Sequence, residues 1–280
     1  MTRVLPYFRS RPTSAVAAVI LALIVLASVL APVVAPRNPD QTNLIGQFEP
    51  PSATNLFGTD ELGRDLFSRV IYGGQTALLT ALGSVILASL VGIPLGLVSG
   101  YFGRWVDAVT MRLIDLLLAI PAILVALGLI AMFGRGTVNV IVAVGIVNIP
   151  AFARITRATT LSVKEQDYVH ATQAMGAGYG YLLARTILPN AAGPILVQMA
   201  VTGATAILLA SALSFLGLGI QPPTPDWGTM LSTGRQHLFE APWYGIFPGL
   251  AIALTVYALD ELSKALQDLL GTTMRTELSL

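Results

Sequence analysis

What most constrains this chain is where its charges are missing. No Asp, Glu, Lys or Arg lies between Arg11 and Arg37, Arg69 and Arg104, Asp115 and Arg135, Arg135 and Arg154, Arg185 and Asp226, or Glu240 and Asp260. A helix needs about 20 mostly apolar residues to cross roughly 30 Å of hydrocarbon. The gaps therefore place six spans near Ser14–Ala35, Gln75–Ser99, Met111–Phe133, Val138–Phe152, Gly193–Leu216 and Trp243–Leu259. Only Gly134–Thr137 separates the third from the fourth, so these two read as a tight helical hairpin. The short fourth span is expected to run past Arg154, whose long side chain can snorkel. Charged residues make up 11% of the chain and hydrophobic ones 54%. Soluble domains carry roughly 25% charged residues, so the fold class expected is an all-α integral membrane protein.

Arg3, Arg9 and Arg11 precede the first apolar run like the n-region of a signal peptide. That run exceeds the usual stretch of roughly 7–15 residues, and five more spans follow. It reads as an uncleaved first helix. Lys and Arg then set the orientation. With the N-terminus inside, 11 of the 16 fall on inner segments: Arg3, Arg9, Arg11, Arg104, Arg112, Arg154, Arg157, Lys164, Arg185, Lys264 and Arg275. The outer five are Arg37, Arg64, Arg69, Arg135 and Arg235. Both termini are expected in the cytoplasm, in a multi-pass protein of the cell membrane surrounded by lipid.

Three connections are too long for simple turns, and long loops tend to be functional or disordered. They run from Pro36 to Gly74, from Arg154 to Asn190 and from Gly217 to Pro242. Gly92, Gly96 and Gly100 recur at four-residue spacing, which suits close helix packing. Pro94 and Pro121 fall inside spans and are expected to kink them or free a carbonyl.

The residues exclude several chemistries. There is no cysteine, hence no disulfide and no thiolate site. A net charge of +1 does not suit a nucleic-acid partner. Neither Lys164 nor Lys264 stands in the glycine frame of a phosphate-binding loop. No nucleotide, other cofactor or metal is expected on this chain, and no catalytic residue. Carboxylates at mid-membrane depth, usual in proton-coupled pumps, are also missing. Asp107, Arg112 and Asp115 read as interfacial or inter-helix charges. Energy for transport would have to come from a partner.

The inner loop points to that partner. Over Gln166–Ala177, Tyr168, Ala171, Thr172 and Met175 recur at helical spacing. Gly176 and Gly178 end the helix. A second helical stretch, Tyr179–Ile187, is expected to close at Pro189. Amphipathicity alone leaves two readings open: a docking element for another protein, or a helix lying on the membrane.

Tyr168-Val-His170-Ala171-Thr-Gln-Ala-Met175-Gly176-Ala177, followed by Ile187-Leu188-Pro189-Asn190, resembles the EAA loop of binding-protein-dependent ABC importer permeases. His170 stands where that family usually has Glu, and Thr172 where it has Ala. Two outer stretches resemble the dipeptide/oligopeptide branch. One is Phe57 to Arg69, with Gly58, Thr59, Asp60, Gly63, Arg64 and Asp65. The other is Ser214–Gly219 followed by Pro222 to Leu231, with Pro225, Asp226, Trp227 and Gly228. Read from the residues alone, both are capped turns.

The resemblance implies a type I ABC importer permease fold with a cytoplasmic coupling helix, and specifically a C-type subunit. It implies a B-type permease as partner, two ATP-binding subunits carrying ATP and Mg, and an extracytoplasmic solute-binding protein. Short peptides are the substrate it implies. Nickel chelates or glutathione remain open, and so does a non-transporting membrane scaffold. Residues 75–268 would form the permease core. Residues 1–74 would hold the first helix and outer segment, and 269–280 a cytoplasmic tail.

Overall fold

The computed structural model describes residues 11–277. Arg3 and Arg9 of the n-region lie outside the described residues, as does the end of the C-terminal tail. The long helices are α1 (Pro12–Val29), α2 (Leu66–Phe102), α3 (Arg104–Leu118), α4 (Ala122–Phe133) and α5 (Thr137–Lys164). After them come a short α6 (Asp167–Ala174), then α7 (Leu188–Phe215), α8 (Trp227–Gln236) and α9 (Trp243–Glu277). Among the described residues, five helical stretches are long and apolar enough to cross a membrane, and the bent pair α3 and α4 brings the number to six if it counts as one span.

The pair α2 and α5 forms the spine, and glycine makes their approach possible. A Cβ on Gly96 would stand 2.5 Å from the Ala153 carbonyl oxygen and 2.6 Å from the Thr156 Cβ. Gly92 meets Phe152 and Ala153 in the same way, and Gly100 meets Thr160. The four-residue glycine spacing is thus a packing stripe along one helix. On the far side, Leu79, Leu82 and Leu90 of α2 and Val16, Val19 and Leu23 of α1 are exposed, as lipid-facing positions require.

The third expected span, Met111–Phe133, is not one helix. It breaks between α3 and α4 with a bend of 87°. Pro121 is the physical reason: it has no N–H for the ladder, and it biases Ile120 away from the helical region. The chain restarts at Ala122 with Pro121 extended at its N-cap. Proline is tolerated elsewhere, because α2 runs on through Pro94 as a single helix. The fourth span does continue past Arg154, to Lys164. The last outer segment is not all loop, since it contains α8. The second stretch of the inner loop also differs from expectation. Residues Leu182–Ile187 form a π-helical turn that feeds into α7, and Pro189 sits in the first turn of α7 instead of closing a helix. A widened turn accommodates the proline ring and its missing donor.

Candidate functional site

Two assemblies lie at opposite ends of α2, a helix of 37 residues. At 1.5 Å per residue it is about 55 Å long.

The first end is a cap built from the segment before α2. Asp60 is fully buried. Its carboxylate accepts from the backbone N–H groups of Leu62 and Arg64, both at 2.9 Å, and from the Arg64 guanidinium at 2.7 Å. Arg69 Nε lies 3.3 Å from the same carboxylate, and Arg69 also donates to the Pro39 carbonyl at 2.9 Å. Arg64 reaches Glu61 at 2.9 Å. Burying charges is tolerable when they are paired, and Asp60, Arg64 and Arg69 are, although Arg69 Nε and Glu61 Oε2 make no hydrogen bond. Gly58 and Gly63 take φ values of +76° and +67°, which a side chain resists. Thr59 accepts from the Glu49 N–H at 2.8 Å and donates to the Gly46 carbonyl at 2.6 Å. Asp65 caps α2 by accepting from the Ser68 N–H at 2.8 Å.

Long-range contacts bring the second outer stretch to the same end. Trp243 of α9 donates to the Thr59 carbonyl at 3.4 Å. Trp227 donates to the Val70 carbonyl at 2.8 Å and fills the space beside Gly73 and Gly74. Asp226 caps α8 through the Thr229 N–H at 2.9 Å. Burial pushes the Asp226 carboxyl above the usual carboxylate range, against the pull of hydrogen bonds from Thr229, Ser214 and Gly228. Pro225 is buried beside it. Gly228 lies against the Ser211 carbonyl, where a Cβ would stand 2.4 Å away. The two outer stretches therefore form one lid over the bundle end.

The second end carries α6, between the end of α5 and the start of α7. Val169 is its buried residue, 2% exposed, packed with Leu97, Leu182 and Ile187. The spacing of apolar residues did not single out Val169. Instead Tyr168, Ala171 and Met175 face away from the bundle, with Met175 80% exposed. His170 is exposed as well. The helix stops by a Schellman turn. Gly176 takes φ +85° and donates to Gln173 at 2.9 Å, and Ala177 donates to Thr172 at 3.4 Å. Leu188 packs beside Ile187, whereas Pro189 is exposed. Tyr101, Phe102 and Tyr179 stack edge-on below this turn, with ring centroids 5.2–5.9 Å apart.

Two ion pairs join α3 and α5 toward this end. Arg157 of α5 holds Asp107 of α3 through two hydrogen bonds, one at 2.6 Å. Arg154 holds Asp115 at 2.6 Å. Among the described residues, no three His, Asp or Glu side chains gather as a metal site.

Residues 92–276 match the family described as binding-protein-dependent transport system inner membrane component. Residues 1–51 match the N-terminal transmembrane domain of oligopeptide transport permease C. The chain belongs to the first of these families. A dipeptide transport system permease protein of Alkalihalophilus pseudofirmus is 41% identical to this permease over 84% of the chain and 78% of the relative. A di/tripeptide permease of Pseudomonas aeruginosa is 41% identical over 86% and 82%. A glutathione transport system permease of Pectobacterium atrosepticum is 42% identical over 81% and 76%. Among solved structures, the MetNI methionine ABC transporter in an inward-facing conformation is similar, with a TM-score of 0.55 and 17% identity. The match covers 71% of this permease and 96% of that chain. That likeness establishes the fold as the type seen in an ABC importer permease.

Sequence reasoning named the α6 face and both outer stretches. It missed Arg69, Trp243 and Val169. The pattern Asp65-x-x-Ser68 ahead of an apolar run is an N-cap signal and marks the start of α2 nine residues before Gln75. Asp226-x-x-Thr229 is the same signal for α8.

Proposed function

We propose that this chain is the C-type permease of an ABC importer that admits short peptides. It would pair with a B-type permease, two ATP-binding subunits and a solute-binding protein in a bacterial or archaeal cell membrane. Residues 75–268 would be its moving core and the termini would be cytoplasmic. The energy-coupling half of the reading is carried by one observation. The apolar residues of α6 are turned outward while Val169 roots the helix in the bundle. That geometry suits helix-in-groove docking to an ATPase. Closure of the ATPases would move α6 as a lever on α2, α5 and α7, and so bias the bundle between two states. Nucleotide would bind and be hydrolysed on the partners, since neither lysine of the chain has a phosphate-loop frame.

The substrate half rests on the relatives. Their names give dipeptides, di- and tripeptides, and glutathione. Peptide bonds with free charged ends are common to all. The test is growth. A host made auxotrophic for one amino acid, and deleted for its own peptide importers, receives the whole transporter with this chain. Growth on a dipeptide containing that amino acid is expected, and is lost when this chain alone is omitted. Growth that depends on the ATPases but never on any di- or tripeptide contradicts the substrate reading.

A further inference from the structure

The Arg154–Asp115 pair has a more open setting than the Arg157–Asp107 pair that joins the same two helices. Its two side chains are 54% and 51% exposed, against 33% and 21% for Arg157 and Asp107. Arg154 lines a groove of about 610 Å³ with Leu118, Asn148, Ala151, Thr205 and Leu208, at the break between α3 and α4. Asp115 lines a second hollow of about 450 Å³ on α3, together with Met111 and Arg112. Cavities of about 300–1,000 Å³ are the usual size for small-molecule sites.

Arg154 lies 17 residues from the start of α5, or about 26 Å along the helix. That puts the pair toward the end of the span nearer α6. An ionisable residue within a span costs energy unless it faces protein or water, and so marks a pathway by default. The groove is lined mainly by aliphatic residues, and besides Arg154 its polar residues are Asn148 and the exposed Thr205. The Asn148 amide and the Thr205 hydroxyl donate only to carbonyls of their own helices.

We infer that the Arg154–Asp115 pair is a transient binding site for the two charged ends of a zwitterionic peptide crossing the permease. The inference rests on the peptide reading above. Arg154 takes the carboxylate in a two-pronged hydrogen bond, which its planar fork favours. Asp115 takes the ammonium. When the groove is empty the two neutralise each other at 2.6 Å. Occupancy exchanges that one pair for two, so neither charge is left unpaired in either state. Half-exposure keeps the site weak, and a pathway site must be weak enough to release.

The test uses the full transporter with its binding protein in proteoliposomes, driven by ATP. Uptake is compared for a free dipeptide, its C-terminal amide and its N-acetyl form. Each variant is scored against wild type for the same peptide, so any preference of the binding protein cancels. Arg154→Gln should lower uptake of the free and N-acetyl forms about tenfold and leave the amide nearly unchanged. Asp115→Asn should spare the N-acetyl form and lower the other two. Arg154→Lys should keep part of the carboxylate preference. A tenfold change corresponds to about 1.4 kcal/mol, close to the lower end of the range for a hydrogen bond to a charged group. If each variant lowers all three peptides equally, the pair is a structural brace and the inference is overturned. Unchanged uptake of all three overturns it too. If wild type imports no dipeptide in any form, the peptide reading itself falls and takes the inference with it.

Discussion

Met175 and His170 both sit on α6, and their expected weights are opposite. Met175 is 80% exposed in this chain and flexible enough to fill an irregular groove. An anchor lost from the centre of an interface costs about 2 kcal/mol or more, whereas an exposed charge contact is worth about 0–1 kcal/mol. Met175→Ala should therefore weaken ATPase co-purification or uncouple substrate-stimulated hydrolysis in nanodiscs, and His170→Gln should do little. The reverse ranking would assign a polar role to position 170. Gly176 acts through its backbone. No atom lies within 4 Å of a Cβ built there, but φ is +85°. A branched side chain would cost about 1–2 kcal/mol by conformation alone. Gly176→Val should insert normally yet lose coupling, and normal transport by that variant would count against a shaped α6 terminus. At the other end, Asp60→Asn would remove the buried carboxylate that Arg64 and Arg69 share, leaving Arg64 with Glu61 and Arg69 with Asp40 and the Pro39 carbonyl. Breaking a buried pair costs about 3–5 kcal/mol, so thermal unfolding in detergent should shift well below wild type. An unchanged midpoint would mean that solvent reaches both guanidiniums.

At the scale of elements, the α2–α5 contact is one that a single methyl group would disturb directly. The atoms facing Gly96 include the Ala153 carbonyl and the Arg157 nitrogen. Backbone cannot swing aside as a side chain can. Overpacking of this kind costs about 1–3 kcal/mol, so Gly96→Ala should lower the melting temperature measurably. Gly128→Ala on α4 meets nothing within 4 Å and should not. Equal midpoints for the two variants would mean that the helices are farther apart than described. The elements also show what the sequence can reveal. Long spans were legible because apolarity is a local property and the charge gaps are wide. The break in the third span was only half legible. Pro121 announced a kink, but nothing local states that α3 turns 87° away and pairs Asp107 and Asp115 with α5. The phase of α6 was not legible either. Helical spacing groups Tyr168, Ala171 and Met175 but does not say which side the bundle covers. That is decided by Leu97, Leu182 and Ile187, which meet Val169 from other elements. The lid was readable as turns and caps. Its closure by Trp227 and Trp243 depends on contacts spanning more than 150 residues.

For the whole molecule, the lid and α6 lie at opposite ends of α2, which fits a protein that meets a delivery partner on one side and an energy source on the other. A chain without cysteine suits labelling. Cysteines placed at Ser52 and Thr273 should react with an impermeant reagent from opposite sides of the membrane, and labelling from one side would overturn six spans with cytoplasmic termini. The most direct measurement of the central claim is uptake by the reconstituted assembly. Proteoliposomes carrying both permeases and the ATPases, supplied with the loaded binding protein, should accumulate a labelled dipeptide only when ATP faces the α6 side. They should lose that uptake when Met175, Tyr168 and Ala171 are together replaced by Asp, although the assembly still binds lipid and folds. Accumulation that persists without ATP, or that survives the triple replacement, would contradict the account.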